Sequence, residues 1–253
     1  MMALLETEGL TKEFGGLRAL DSVDMAVEKG ELVSLIGPNG SGKSTLINVI
    51  TGLLSPTDGH IHYRGQDIVG MSAHEIAQLG LSRTFQTASI FPERTVRENL
   101  EIAAHATEEG SFSVNFLRRR EDFDGVHART DDVLEVIELE EEQDTTAESL
   151  PYGDKRRLEV AISLATGPDM ILMDEPTAGM SPGETDMTVE LIEGLQEDRG
   201  MTIFLVEHDM DVIFGVSDRI FVLNDGELIA DGPPDEIRED PVVREAYLGG
   251  EVT

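Results

Sequence analysis

The chain has 253 residues, with 51 Asp and Glu against 19 Lys and Arg, a formal net charge of -32. That balance excludes a protein that grips nucleic acid through a broad basic face, since phosphate binding is driven by neutralising cations, and it excludes a polybasic anchor on an anionic membrane. At 40% apolar the chain is no disordered acidic tail, and it is long enough to bury a core as one large domain or two small ones; the absence of cysteine removes disulfides, thiolate metal sites and thiol nucleophiles.

Residues Met1 to Gly9 carry two acids and no basic region leading into an apolar core, so no secretory signal is expected there. No run approaches the roughly 18 to 20 apolar residues that span a bilayer. A soluble intracellular protein is the expectation. Leu32 to Ile36 reads as a short apolar strand that ends in a glycine-rich turn, and a helical pattern follows from Ser44 to Thr51. His60 to Arg64, with flanking glycines, reads as an antiparallel edge element; His60 and His62 share one strand face with no third ligand nearby, a solvated pair rather than a metal centre. Between about Thr107 and Ser149 acids dominate, and Val133, Leu134, Val136 and Ile137 have helical periodicity. This stretch is expected to be a mostly helical insertion with a solvated face, Glu138 to Glu142 lying at the surface. Met170 to Met173 and Met201 to Val206 are apolar runs of the kind buried on both faces of a parallel sheet. Arg219 to Leu223 and Glu227 to Ala230, joined by Asn224-Asp225-Gly226, form a predicted hairpin. Alternating strand and helix signals make the fold class α/β with a largely parallel sheet.

The strongest chemical signal is Gly37-Pro38-Asn39-Gly40-Ser41-Gly42-Lys43-Ser44-Thr45, which fits GxxxxGK[ST] between a strand and a helix. The glycines let the backbone wrap phosphate oxygens as an anion nest, and the following helix adds its positive end. Lys43 is expected to pair with the β- and γ-phosphates and the Ser44 hydroxyl to bind Mg²⁺. Downstream, Met170-Ile171-Leu172-Met173 delivers Asp174 and Glu175 to a strand's carboxyl end, where ligands bind in such sheets. Asp174 suits the Mg²⁺ shell, and Glu175 can take a proton from, or orient, an attacking water. The acidic motif alone is weak, but with the phosphate loop it points to a P-loop nucleotidase.

Further motifs narrow the class. Leu150-Pro151-Tyr152-Gly153-Asp154-Lys155-Arg156-Arg157-Leu158 opens a helix about sixteen residues before the acidic strand. Pro176-Thr177-Ala178-Gly179-Met180 follows that strand, the next strand ends in Glu207-His208-Asp209, and Gln86 lies in Arg83-Thr84-Phe85-Gln86-Thr87. In order and spacing these resemble the ATP-binding cassette family over nearly the whole chain. The resemblance implies a P-loop NTPase core with a mixed sheet, an antiparallel β edge subdomain and a helical subdomain insertion. Residues 1–253 would form one nucleotide-binding domain, its core about 1–87 and 167–253 and its helical part about 88–166.

The resemblance also implies roles. ATP and Mg²⁺ are the expected ligands. Gln86 would touch Mg²⁺ or the water and relay the nucleotide state to a membrane partner, His208 would hydrogen-bond the γ-phosphate, and Phe14 would stack on adenine, against the plain alternative of a strand-end core phenylalanine. Ser181 takes the place of an Asp common in the loop after the acidic strand. The segment Pro151, Tyr152, Gly153 and Asp154 stands where the family has Leu-Ser-Gly-Gly-Gln, facing the ATP of a second cassette. Pro151 lacks the serine hydroxyl, and Asp154 brings a charge toward triphosphate unless it serves mainly as a helix cap. A working but altered composite site is expected.

Within the family, Phe14-Gly15-Gly16-Leu17, Phe91-Pro92-Glu93, Arg156-Arg157-Leu158-Glu159 and Ala246-Tyr247-Leu248-Gly249 resemble the branched-chain amino acid importer group. Urea and short-chain amide importers share much of this, and a soluble cassette ATPase of the iron–sulfur assembly type is the competing class. The importer reading implies separate permease subunits, a second cassette subunit, an extracytoplasmic binding protein acting indirectly, no nucleic acid, and a place at the cytoplasmic face of the membrane. The acidity suggests life in concentrated salt, where at about 1 M the Debye length falls to about 3 Å and surface carboxylates cease to repel one another.

Overall fold

The computed structural model describes residues 3–84, 90–108 and 121–248. In chain order the elements are β1 (Leu5–Phe14), β2 (Leu17–Val27), β3 (Leu32–Ile36), α1 (Lys43–Ile50), β4 (Asp58–Tyr63), β5 (Gln66–Asp67), α2 (Ala73–Gln78), β6 (Leu81–Thr84), α3 (Val96–Glu108), α4 (Glu121–Val136), α5 (Tyr152–Ala165), β7 (Met170–Asp174), α6 (Pro182–Glu197), β8 (Thr202–Val206), α7 (Met210–Val216), β9 (Arg219–Asn224), β10 (Glu227–Gly232), α8 (Pro234–Glu239) and α9 (Pro241–Leu248). Two sheets result, one of order β2-β1-β4-β5 and one of order β10-β9-β3-β8-β7-β6. The first is antiparallel. In the second, β9, β3, β8, β7 and β6 are parallel and β10 runs antiparallel at the edge.

The apolar runs read as doubly buried strands are so. Met170 and Leu172 of β7, with Phe204 and Val206 of β8, enter a core shared with α1 and the antiparallel sheet. Ile171, Met173, Ile203 and Leu205 face the other way, into a core built with α3, α4, α5 and α6. Side chains alternate across a strand, so a strand between two cores must be apolar at both parities. A third, smaller core joins Ile36 to β9, α7, α8 and α9. The predicted hairpin is β9 and β10, and its loop residues Asp225 and Gly226 both have positive φ, 47° and 84°, as a type I′ turn needs. One expectation needs correction: β4, which contains His60 to Tyr63, is not an edge, since it pairs with β1 on one side and the two-residue β5 on the other. His60 Nδ1 lies 2.9 Å from Asp67 Oδ2 across that pair. Helix also begins earlier than the acidic stretch suggests, at Val96, and Leu139 is buried within the acidic run whose residues Glu138, Glu140 and Glu141 are exposed.

Because β3, β8, β7 and β6 are parallel, their carboxyl ends share one edge of the sheet. The segment after β3 is the glycine-rich loop, after β7 comes Glu175, and after β8 come Glu207 and His208. These three separate stretches of sequence meet there by topology alone.

Candidate functional site

The loop 37–45 is held by close backbone contact. A Cβ on Gly37 would collide with the Leu223 carbonyl oxygen and the Ser41 hydroxyl; one on Gly42 would lie 2.5 Å from the Ala19 carbonyl oxygen. Gly42, at φ 110°, caps α1 without any side-chain hydrogen bond, and the first turn of α1 holds no acid. The Ser41 carbonyl accepts from the Gly226 N–H at 2.9 Å, which ties the loop to the β9–β10 turn. Ser41 Oγ is buried with no protein partner among the described residues. Lys43, 8% exposed, turns its ammonium onto the carbonyls of Gly37 (2.6 Å) and Pro38 (3.1 Å). Burial lowers its pKa, while Glu175 and Asp174 raise it. An unanswered hydroxyl, an uncapped helix start, a buried cation and glycines too crowded for a side chain together fit an anionic phosphate group.

Asp174 ends β7, mostly buried, and its Oδ2 pairs with Arg83 at 2.8 Å. Arg83 also donates to Asn48 Oδ1 of α1 at 2.8 Å, so one guanidinium joins β6, β7 and the helix behind the loop. Glu175 sits at φ 51°, a conformation that costs a non-glycine residue of order 1 kcal/mol or more. Its surroundings hold it there. Its N–H donates to the Val206 carbonyl at 2.7 Å, and Arg156 donates to the carbonyls of Glu175 (2.8 Å) and Pro176 (3.1 Å). Glu175 Oε1 then lies 2.9 Å from His208 Nε2.

Glu207, 4% exposed, is the junction between the two strand ends. Its Oε1 accepts from the Thr177 N–H (2.8 Å) and hydroxyl (2.5 Å), and its Oε2 accepts from the His208 N–H (3.0 Å). A single buried carboxylate therefore sets both the segment after Glu175 and the backbone that carries His208. Arg83, Arg156 and Glu207 were all inside recognised motifs, but nothing in their spacing assigned them these contacts. The available signal was chemical: a guanidinium or carboxylate next to apolar strand ends must find a partner if it is buried.

The other predicted residues are distributed as follows. Phe14, at the end of β1, is 44% exposed with the Lys12 ammonium 5.0 Å above its ring, so it is not a core residue. Ser181 is the N-cap of α6, its N–H and hydroxyl both donating to Glu184 Oε2 at 2.8 and 2.6 Å; these bonds pull the Glu184 pKa down. Gln86 lies outside the described residues. Pro151 is the N-cap of α5, and Tyr152 is exposed with its hydroxyl 3.3 Å from the Ala178 carbonyl oxygen. Of the two readings of Asp154, the helix cap is excluded, because Pro151 holds the N-cap position. Asp154 sits in the first turn of α5 and pairs with Arg157 Nη2 at 2.5 Å, because the helix begins at Tyr152 and i, i+3 side chains then share a face. The Glu184 carboxylate, from the start of α6, lies beside Gly153: a Cβ there would stand 3.0 Å from its Oε1.

Comparison with known proteins agrees in kind. The family model described as ABC transporter matches residues 20–178, and that described as branched-chain amino acid ATP-binding cassette transporter matches residues 227–253. The chain is 41% identical, over 97% of its length and 98% of the relative's, to the high-affinity branched-chain amino acid transport ATP-binding protein BraF of Pseudomonas aeruginosa. It is similar to the crystal structure of the ADP conformation of an ATP-binding cassette of an ABC transporter, with a TM-score of 0.85, 35% identity, and coverage of 98% of this chain and 100% of that one. It is also similar to the dimeric structure of a bacterial ABC transporter cassette, with a TM-score of 0.74, 28% identity, and coverage of 91% and 98%.

Proposed function

The chain belongs to the ABC transporter family, and from that premise we propose that it is the ATP-hydrolysing subunit of an importer for branched-chain amino acids, bound peripherally at the cytoplasmic face of the membrane. The observation that carries the ATPase reading is the meeting of loop 37–45, Asp174, Glu175 and His208 on one sheet edge. The match of residues 227–253 to the branched-chain amino acid cassette model supports the substrate class. We take residues 1–253 as one nucleotide-binding domain, with its core near 1–87 and 167–253 and the helical part near 88–166.

In this reading the N–H groups of Pro38-Asn39-Gly40-Ser41-Gly42-Lys43-Ser44-Thr45, proline excepted, wrap the phosphates. Lys43 leaves its own loop carbonyls for the β- and γ-phosphates. Phe14 offers a ring face to adenine. Glu175 takes a proton from the water attacking the γ-phosphorus, and His208, which Glu175 already contacts, donates to a γ-phosphate oxygen as charge develops. Ser44, Asp174 and Gln86 would hold Mg²⁺, which when bound neutralises phosphate charge. Catalysis here is positioning and charge stabilisation, with little covalent work for the protein.

Pro151, Tyr152, Gly153 and Asp154 would face the triphosphate held by a second cassette, so ATP binding closes a dimer and hydrolysis reopens it. An apolar groove of about 360 Å³ lies beside β6, lined by Leu53, Ile76, Phe91, Ile102 and Ile162. Leu53, Phe91 and Ile102 are exposed. It supports docking to a permease helix. No helix among the described residues is long and apolar enough to cross a membrane, so the permease spans would come from other chains.

The decisive experiment is co-purification from native membranes. Recovery with two hydrophobic permease chains, and ATPase activity stimulated by a binding protein loaded with leucine, isoleucine or valine, is the expected result. Stimulation by urea or an amide alone would reassign the substrate, and recovery only as a soluble enzyme would overturn the importer reading. We read the charge of -32 as salt adaptation; the melting temperature is expected to rise between dilute buffer and molar KCl, and equal values would sink that reading.

A further inference from the structure

Glu175 stands in a backbone conformation that its own sequence resists. A non-glycine residue at φ 51° is disfavoured, and the residue before a proline favours a φ of about −120°, so Glu175, followed by Pro176, is opposed on both counts. The conformation persists because both peptide planes beside its Cα are pinned. Behind it, the Glu175 N–H donates to the Val206 carbonyl, a backbone bond that extends the pairing of β7 with β8. Ahead of it, the Glu175 carbonyl accepts from Arg156 Nη2 at 2.8 Å and from the Ala178 N–H at 3.2 Å. The next carbonyl, of Pro176, accepts from Arg156 Nε at 3.1 Å. The remaining arm of this mostly buried guanidinium, Nη1, meets Glu159 Oε2 at 2.5 Å. Three acceptors lie in three directions, which a planar fork can satisfy and a single ammonium cannot. Arg156 stands on α5, about one turn beyond Tyr152, whose hydroxyl donates to the Ala178 carbonyl at 3.3 Å. The segment that follows Glu175 is therefore clasped to α5 at two places.

We propose that Arg156 is a positioning residue for Glu175: bound to two successive carbonyls, it holds the peptide plane after Glu175 and so aims the carboxylate that meets His208. The setting of this base is then supplied from α5, the helix whose first residues would face a second cassette. This rests on the reading that Glu175 is the base for ATP hydrolysis. A tilt of the held plane moves the Glu175 side chain, and with it the 2.9 Å contact between its Oε1 and His208 Nε2. Two roles of Arg156 must be separated, its ion pair and its grip on the carbonyls. Arg156→Lys keeps a cation for Glu159 and loses the fork; Glu159→Gln loses the ion pair and leaves the fork in place.

The experiment measures kcat and KM for ATP, the dissociation constant of a fluorescent ATP analogue, and the melting temperature, all on the full chain. Hydrolysis by Arg156→Lys is measured again in the Glu175→Gln background. Arg156→Lys is expected to lower kcat roughly ten- to a hundred-fold, the scale on which a displacement near 1 Å acts on a reacting group, with KM and the dissociation constant unchanged. Added to Glu175→Gln it is expected to take nothing further from the residual rate, because the carboxylate it acts through is already gone. Glu159→Gln is expected to lower the melting temperature and leave kcat alone. Unchanged kcat in Arg156→Lys would overturn the proposal. So would an equal further loss in the Glu175→Gln background, or loss of ATP binding or of folding, since each would make the arginine a part of the fold alone. A fall in kcat in both Arg156→Lys and Glu159→Gln, in step with their melting temperatures, would overturn it too. Unchanged hydrolysis in Glu175→Gln by itself would instead overturn the reading of Glu175 as the base.

Discussion

The start of α1 and the start of α5 are both helix ends that offer glycines and backbone N–H groups, and they are finished in opposite ways. At α1 the cap is Gly42, no side chain satisfies the free donors, no acid occupies the first turn, and a buried lysine stands alongside. At α5 the first turn holds Asp154, paired with Arg157, and the carboxylate of Glu184 lies beside Gly153. A helix N-terminus attracts negative charge wherever it is exposed. The first end has no carboxylate in its own first turn and stays open to a phosphate bound by its own chain. The second has its positive end met by the chain's own acids, which suits a surface that meets phosphate only when another chain brings it.

The largest effect that sharpens this contrast is on the chemistry at the open end. Glu175→Gln keeps the side chain's size and the backbone bonds to Val206 and Arg156 but removes the base. Turnover is expected to fall at least about 100-fold, with ATP binding retained and an ATP-bound dimer trapped, as measured by steady-state hydrolysis and gel filtration. Unchanged hydrolysis would refute the assigned role.

A smaller effect is expected at the junction between strand ends. Glu207→Gln replaces an oxygen facing the His208 N–H or the Thr177 donors by an amide that donates, leaving at least one buried donor unanswered. Hydrogen bonds to a charged group are worth about 1.5–3 kcal/mol. A loss near the middle of that range lowers the melting temperature of a chain this size by about 4–8 °C. A calorimetric shift under 1 °C would show that the junction carries no weight.

The smallest tests the second helix end directly. Glu184→Gln preserves the capping geometry with Ser181, since Gln serves in that motif as well as Glu, but removes the charge next to Gly153. With like charges near 4 Å costing about 1 kcal/mol in water, ATP-driven dimerisation is expected to tighten about five-fold, read by sedentation velocity at varied protein concentration. Weaker dimerisation would mean that the carboxylate helps the interface and that the contrast between the two ends is misdrawn.

Legibility in the sequence follows the same physical divide. β3, β7 and β8 could be read directly because burial between two cores leaves no polar option at either parity. The hairpin of β9 and β10 was legible because Asp225-Gly226 is chemistry for positive φ. β1 and β2 were not, since their pairing is broken by register shifts at Thr7/Leu10 and Leu10/Lys12 that interrupt the alternation a strand should show. β6, read through Ser82-Arg83-Thr84, has too few apolar residues to announce itself, and its arginine is polar for a reason visible only in three dimensions: it answers Asp174. The loop 37–45 was legible because its geometry is carried by backbone and glycine. The Asp154–Arg157 pair was not legible, because capping and i, i+3 pairing differ by a shift of helix start smaller than sequence patterns resolve.

The strand order β10-β9-β3-β8-β7-β6 has a consequence for how the molecule comes into being. β3 and the phosphate loop are made among the first 45 residues, yet both neighbours of β3 are late: β8 at Thr202–Val206 and β9 at Arg219–Asn224. Even the Leu32 N–H waits for the Asp218 carboxylate, at 2.9 Å. At about 5–20 residues per second, a ribosome needs roughly ten to forty seconds to supply these partners after the loop has emerged. During that time the apolar strand Leu32–Ile36 has no native sheet to join. The residues best suited to hold a nucleotide are thus among the earliest made and the last to be supported, and a chain stopped short of Asn224 would carry the motif without the site.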